Sequence, residues 1–412
     1  MRIGIIGGGL TGLAAANILA GEHDIQLFEK MPFLGGCLSS YLIKGYQVER
    51  YYHHCFSGDN YLFTLLKDLD LLNCLEWKNG TTGYYSGKKI YPLNTPLEIL
   101  KYPELSAIDK ARLAWLTLTA KKTDMAVLDD ITAEQYIVDH LGRNVYISFF
   151  EPLLRSKFGE RRKDVSAAWL LSRIAIRSNR GASGENLGYM KGGFSRLIET
   201  LGRSIEKKGG TICKQTPVES VSHKERIWTV NGDTFDAVIS TIPPQEFQKI
   251  GGPVVPHIPY QGAACLTIGM DREVSEGIYW LNMKDKAPYG AVVTHTNFIT
   301  DGRYGEQIIY LASYFSGKMP ANLNTIMIDD FCSRFSVSAG EIAWQRMAVD
   351  PFAGPVYSTG YKALIPAYEQ EGFYMAGMFS RSNYPERSME GSIRAGTEVA
   401  NCITQRGSHE RN

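Results

Sequence analysis

The chain has 412 residues and a mass of 45.9 kDa, with 44% hydrophobic and 21% charged residues, which excludes a single small module and large-scale disorder alike. Lys plus Arg number 44 against 43 Asp plus Glu, so the net charge of +1 offers no long-range field to a polyanion and nucleic acid is not expected as a partner. The seven cysteines stand singly with no CxxC, which removes the dithiol motif and the usual zinc spacings and points to reduced thiols in a cytoplasm.

In chain order, MRIGII runs straight from Met1 into a strand pattern, leaving no room there for a secretory leader. Residues 2 to 30 read as strand, glycine-rich turn, helix and strand: RIGII, GGGLTG, LAAANILAG and IQLFEK. Within this βαβ unit Gly7-Gly8-Gly9-Leu10-Thr11-Gly12 satisfies GxGxxG. Gly7 permits the tight turn, Gly9 lets the backbone approach a pyrophosphate, and Gly12 lets the helix lie close on the strand. The helix start offers N–H groups and a positive dipole to phosphates. Glu29, 17 residues beyond Gly12, would accept from the ribose hydroxyls and disfavour a 2′-phosphate. An adenine dinucleotide is the ligand this pattern implies.

A second glycine pair, Gly35-Gly36, follows within EKMPFLGGCLSS, and GYQVERYYHHCF then reads as a strand and loop. His53 and His54 are adjacent, so in a strand only one could face a given ligand. Either one could orient substrate or exchange protons near neutral pH, or serve as a hydrogen-bonded structural histidine; the pair alone implies no metal. From about 96 to 205 the periodicity is mainly helical, with Thr132 and Gln135 as a capping box and Gly142 as a stop. Arg155, Arg161, Arg162, Arg173, Arg177 and Arg180 form one locally basic region, suited to clamp an anion or simply to solvate a helix face.

Residues 210 to 242 and 262 to 315 return to strand-like runs. Pro253, Pro256 and Pro259 interrupt the longest uncharged stretch, 250 to 270, so no membrane-spanning helix is expected there. Tyr279, Trp280, Tyr310, Tyr314, Phe315 and Trp344 could line an apolar pocket or fill strand cores. GFYMAGMF and MEGSIRAGTEVANCI read as a closing strand and helix.

The paired motifs at the two ends, GGGLTG with Glu29 and Gly35-Gly36 against Tyr374-Met375-Ala376-Gly377-Met378 and Ser388-Met389-Glu390-Gly391-Ser392-Ile393-Arg394-Ala395-Gly396, resemble the flavoprotein superfamily of monoamine oxidases, protoporphyrinogen oxidases, phytoene desaturases and UDP-galactopyranose mutases. Many members carry Arg after the glycine pair, where this chain has Cys37, so a guanidinium contact is not carried over. The resemblance implies an α/β fold: a discontinuous Rossmann-like FAD-binding domain (1–50, 190–250 and 370–405) and an interleaved α+β substrate domain (51–189 and 251–369). It implies FAD as cofactor, held by Gly7, Gly9, Leu10, Thr11 and Gly12, by Glu29 and Lys30, and by Gly35 and Gly36. Further contacts would come from Val218 against the adenine, and from Gly377, Glu390, Gly391, Ser392 and Ile393 at the pyrimidine end of the ring. His53 and His54 are the candidate catalytic residues.

The implied activity is oxidation of an amine or a C–H/C–H pair of a small or apolar substrate by hydride transfer to flavin N5. The alternatives are a flavin-dependent sugar-nucleotide mutase and a non-catalytic flavin-binding protein. With one GxGxxG unit and no dithiol, no stable nicotinamide site is expected; the expected partner is a small-molecule substrate, and for a cytoplasmic protein without a spanning segment the sequence leaves peripheral contact with a membrane surface open.

Overall fold

The computed structural model describes residues 1–177 and 185–409. Its first elements are β1 (Arg2–Ile6), α1 (Leu10–Leu19) and β2 (Asp24–Phe28). Ile3, Ile5, Ile25 and Leu27 are sealed from solvent, and α1 buries all but one of its residues. A helix apolar on every side needs cover on every side. It receives that cover from the sheet and from the helices Ser195–Lys207 and Met389–His409.

The sheet around β1 draws on three distant parts of the chain. β1 pairs in parallel with β2 and with Ala237–Ser240, which pairs in parallel with Phe373–Met375, while β2 pairs in parallel with Thr211–Cys213. Glu369–Gln370 adds an antiparallel edge. Parallel neighbours require crossover connections, and here the crossovers carry most of the remaining protein. The fold is therefore α/β, with a Rossmann-like sheet interrupted by insertions.

The second large sheet has seven strands in the order Ile342–Pro355, Tyr260–Met270, Gln307–Phe315, Ala291–Thr294, Trp280–Met283, Thr82–Ser86 and Lys89–Pro92. Its pairs are antiparallel except between Trp280–Met283 and Thr82–Ser86. Leu323–Phe335 packs on one face through Leu323, Met327 and Phe331. The intervening helices start on side-chain caps: Thr95 with Glu98, Ser106 with Asp109, and Thr132, whose hydroxyl accepts from the Gln135 amide at 3.1 Å. Gly142, at φ 98°, stops Ala133–Leu141.

Glu185–Met190 departs from the helical expectation for residues 96 to 205. It is a strand, paired antiparallel with Leu75–Gly80, and it buries Leu187, Tyr189 and Met190. Six residues carry little periodicity of their own, and the partner lies about a hundred residues earlier, so tertiary pairing decides the conformation. All seven cysteines are free. Among the described residues no helix is long and apolar enough to cross a membrane.

Candidate functional site

At the carboxyl end of β1 the chain turns through Gly7, whose φ of +106° is a conformation L side chains rarely adopt. A Cβ on Gly12 would lie 2.0 Å from the Gly7 carbonyl oxygen, so α1 can approach the turn this closely only with glycine there. Thr241, just past Ala237–Ser240, locks the turn by donating its hydroxyl to the carbonyls of Ile6 (2.9 Å) and Gly7 (3.2 Å). Gly9 caps α1 with no side-chain bond, and a Cβ there would meet nothing within 4 Å. The open space thus lies beside the uncapped amides at the positive end of α1. Leu10 and Thr11, the first residues of that helix, are buried.

Glu29, at the end of β2 and 7% exposed, accepts from the Gly8 amide at 2.8 Å and the Met31 amide at 2.7 Å. A carboxylate has about four lone-pair positions, so each oxygen retains room for one ribose hydroxyl. The Thr216 amide donates to the Glu29 carbonyl, which brings the segment carrying half-buried Val218 alongside; that segment is not a strand. Lys30 is exposed. Gly35 and Gly36, both with positive φ, fold back on the first turn: the Gly35 amide donates to the Gly8 carbonyl at 2.8 Å, and a Cβ on Gly36 would lie 3.4 Å from the Gly9 Cα.

From the C-terminal side, Gly377 follows Phe373–Met375, and its amide donates to Ser380 Oγ at 2.9 Å. Gly391 is required by protein contacts, since a Cβ would fall 2.4 Å from Asn383 Oδ1 and 2.6 Å from the Ser382 carbonyl. Ser392 donates its hydroxyl to the Ser388 carbonyl, and Ile393 is core. The Glu390 carboxylate accepts the Tyr61 and Leu62 amides at 3.0 and 2.9 Å, so it caps the helix Asn60–Asp68. Gly396, the last residue of the closing motif, faces the Thr11 carbonyl so closely that a Cβ would approach to 2.5 Å.

Between the glycine pair and the closing helix lies a cluster that sequence reasoning missed. Cys37 Sγ donates to Asp350 Oδ2 at 3.4 Å, and burial pushes the thiol far above its ordinary pKa, with Asp350 adding to the rise. Half-buried Arg387 lies against Gly354, whose Cβ would sit 2.3 Å from the guanidinium. Burial opposes the arginine charge, but Tyr314, Tyr357, Glu386 and Cys37 outweigh it and raise the pKa. Among the described residues no carboxylate forms a salt bridge with Arg387, and Glu386 is bonded instead to Arg173 at 2.7 Å. Tyr260, Tyr357 and Tyr361 feel the same charge from around it. These residues come from five distant segments, and the sequence singled out only Tyr314, as a pocket aromatic, and Cys37, as a departure from the family pattern.

His53 and His54 lie in an extended segment outside any strand, yet they diverge. His53 Nδ1 is 2.6 Å from the Tyr51 carbonyl, which requires the hydrogen on Nδ1 and leaves Nε2 as an acceptor. Burial, with Arg387 adding to it, lowers its pKa to about 4. His54 Nδ1 instead meets the Tyr279 hydroxyl at 3.1 Å, and its ring packs edge-on against Phe56 and Trp280. Of the other aromatics, Tyr279 and Tyr310 are core, Phe315 covers Gly262, Trp344 donates to Glu306, and Tyr314 shares a hydroxyl contact of 3.0 Å with Tyr52. The basic region is paired: Arg155 and Arg162 with Glu151, Arg161 with Asp164, and Arg173 with Glu386. Arg180 lies outside the described residues, as does the side chain of Arg177.

The turn, the uncapped helix and the acceptor at the end of β2 have the geometry expected of an adenine-dinucleotide cradle. The profile of the family described as flavin containing amine oxidoreductase matches residues 10–404, and the chain belongs to that family, with FAD as its cofactor. An uncharacterized protein of Methanocaldococcus jannaschii is 29% identical over 263 residues, 61% of this chain and 60% of that one. Coproporphyrinogen III oxidase of Staphylococcus aureus is 25% identical over 286 residues, 60% of this chain and 61% of that one. The chain thus spans about three fifths of the length of these curated relatives. A solved structure of reduced UDP-galactopyranose mutase superposes with a TM-score of 0.76 at 18% identity, covering 98% of this chain and 95% of the other, which bears on fold alone.

Proposed function

We propose that the protein is an FAD-dependent oxidoreductase acting on an amine or a C–H/C–H pair of a small or apolar substrate that carries an anionic group. The turn Gly7–Gly12 would hold the pyrophosphate, Glu29 the ribose, Val218 the adenine side, and Gly35-Gly36 with the start of the closing helix the ring. Bound there, FAD supplies a two-electron acceptor. The division into a cofactor domain (1–50, 190–250, 370–405) and a substrate domain (51–189, 251–369) belongs to the same proposal.

The observation that carries the reading is Arg387, a cation with no carboxylate salt bridge among the described residues, set among tyrosines and close to Cys37 beside the glycine pair. It would anchor the substrate anion, while neutral His53 presents Nε2 to a substrate N–H or O–H donor. Cys37, held as a thiol, is no nucleophile. The mutase alternative needs several free arginines for a diphosphate, and Arg155, Arg161, Arg162 and Arg173 are each engaged by carboxylates.

An anaerobic assay with the flavin oxidised or reduced, offered amines, polyprenoids, porphyrinogens and nucleotide sugars, tests the reading. Bleaching of oxidised flavin by one of the first three classes is expected. Isomerisation of a nucleotide sugar by reduced enzyme alone, with no substrate bleaching the oxidised form, would overturn it.

A further inference from the structure

The strands Ser40–Ile43 and Tyr46–Glu49 pair antiparallel, and with Arg50 just beyond them they lie across the inner face of the seven-stranded sheet. One end of the crossing is fixed by Glu306, which accepts from Tyr46, from Trp344 at 3.0 Å and from Lys44 at 2.9 Å. The other end is fixed by Cys37 on Asp350. Trp344, Arg346, Ala348 and Asp350 alternate onto one face of their strand. Arg346 sits opposite Thr267, and Thr267 opposite Tyr310, which makes a row across three neighbouring strands. Cys265, two residues before Thr267 on the same face, lies close enough to act on the hydroxyls of Tyr41, Tyr52 and Tyr310 alike, so the hairpin covers this row.

In and over the row, four polar atoms are buried with no hydrogen bond of ordinary geometry: Arg50 Nε, the Tyr41 hydroxyl, Thr267 Oγ1 and the Tyr310 hydroxyl. Thr267 and Tyr310 are sealed from solvent. All four groups can donate. A buried polar group is nearly always paired, and leaving one unpaired costs free energy on folding. Four donors in one place therefore call for an acceptor. The fixed charge beside them is positive. The Arg50 guanidinium stands 4.0 Å from the ring centroid of Phe33 and 4.2 Å from that of Tyr41. Arg346, whose charge also reaches Tyr41, donates to the neighbouring Gln345 carbonyl at 2.9 Å. Among the described residues neither arginine forms a salt bridge, and the carboxylates near the row are engaged. Glu49, which acts on Tyr310, accepts from the Phe194 amide and the Tyr189 hydroxyl, each at 2.8 Å. Glu306 holds Lys44, and Asp350 accepts from Cys37 and from the Phe352 amide at 2.8 Å.

We infer that Arg50, Arg346, Tyr41, Thr267 and Tyr310 form a second anion subsite, and that the substrate carries two anionic groups on an apolar frame, one held here and one at Arg387. The inference rests on the reading of Arg387 as a substrate anchor. Arg346 is four residues along its strand from Asp350, about 13 Å at roughly 3.3 Å per residue, with Ala348 and its cross-strand partner Cys265 between them. The two subsites thus suit separate groups at the ends of one molecule, not the adjoining phosphates of a diphosphate.

The probes are α,ω-dicarboxylic acids of graded chain length and the matching monocarboxylic acids, titrated into full-length FAD-loaded protein and followed by the flavin spectrum. One dicarboxylate is expected to bind about tenfold or more tighter than its monocarboxylate, the gain of a second charge-assisted contact. Arg50→Met should remove that preference without changing monocarboxylate affinity or FAD content. Tyr41→Phe and Thr267→Val carry a readout that a structural role would not move. Each removes an unpaired buried hydroxyl, so the thermal midpoint of the ligand-free holoenzyme should hold or rise while dicarboxylate affinity falls several-fold. Dicarboxylate binding no tighter than monocarboxylate at every length, an unchanged preference in Arg50→Met, or a lowered midpoint in both hydroxyl variants would overturn the inference. In any of those cases, weaker monocarboxylate binding by Arg387→Met leaves the reading of Arg387 standing, and unchanged binding takes that reading down as well.

Discussion

The two ends of the site are built on opposite plans. The proposed cofactor end is made almost entirely of backbone: the turn at Gly7, the amides of α1, the carbonyl of Gly7 under Gly12, and one carboxylate 17 residues on. The proposed substrate end is made of side chains, with Cys37, His53, Tyr314, Asp350 and Arg387 drawn from separate segments. A backbone cradle has to be contiguous, because hydrogen-bonding groups are presented in sequence by one turn and one helix start. A side-chain cluster needs only that the fold brings its members together, so it can be assembled from anywhere in the chain and altered without disturbing the cradle.

The sharpest test of the backbone plan is Gly12→Ala. Its Cβ would meet the Gly7 carbonyl, a backbone atom with no freedom to swing away. We expect a loss of about 3 to 5 kcal/mol in urea unfolding, in the range of severe overpacking and backbone strain, and no retained FAD. Gly9→Ala is the matched control, since a Cβ there meets open space. It should leave apoprotein stability within about 0.5 kcal/mol, as for an uncontacted surface change, yet still lower FAD occupancy. A Gly9→Ala protein with wild-type FAD affinity would mean the phosphates do not approach that position. Glu29→Ala should weaken FAD binding by about 1.5 to 3 kcal/mol for the lost charge-assisted acceptor, read by cofactor titration of the apoprotein.

On the side-chain plan, Arg387→Met should leave FAD content unchanged and raise KM for an anionic substrate about tenfold or more, the loss of one charge-assisted contact. A neutral analogue of the same substrate should be indifferent to the change. Equal effects on both substrates would make Arg387 a structural residue and remove the anionic group from the proposed substrate.

This division also explains what the sequence disclosed. The unit β1–α1–β2 and the closing strand and helix were legible because glycine spacing, periodicity and an acidic residue coincide within a few dozen positions. Gly391 was legible as a glycine, but its contacts with Ser382 and Asn383 were not, because they depend on how an irregular turn folds against the helix. Glu390 gave no sign that its partners would be the amides of Tyr61 and Leu62, more than 300 residues earlier. Arg387 lay in plain view beside the closing motif; its partial burial against Gly354 and, among the described residues, the absence of a carboxylate salt bridge distinguish it from an ordinary surface arginine, and neither is written in one dimension.

The smallest effect links the two plans through His53. Its folded pKa of about 4 lies below the ordinary value of 6.5, chiefly through burial and secondarily through Arg387. Well above pH 7 the ring is neutral whether the chain is folded or not and contributes nothing to pH dependence. As pH falls below 6.5 the unfolded chain takes up a proton that the folded chain refuses until about pH 4, so stability is lost across that window. Full burial would make the loss about 3 kcal/mol, and partial access of water reduces it to about 1 to 2 kcal/mol. His295, buried with its pKa lowered to about 3, acts in the same direction, so the comparison is between wild type and His53→Gln rather than with a flat line. Urea midpoints from pH 7 to 4 should fall more steeply in the wild type than in His53→Gln. In Arg387→Met the fall should be intermediate, because removing the neighbouring cation lets His53 charge more easily. Parallel curves for all three proteins would mean that His53 and Arg387 do not share one buried cluster, and the substrate end would lose two of the side chains from which it is built.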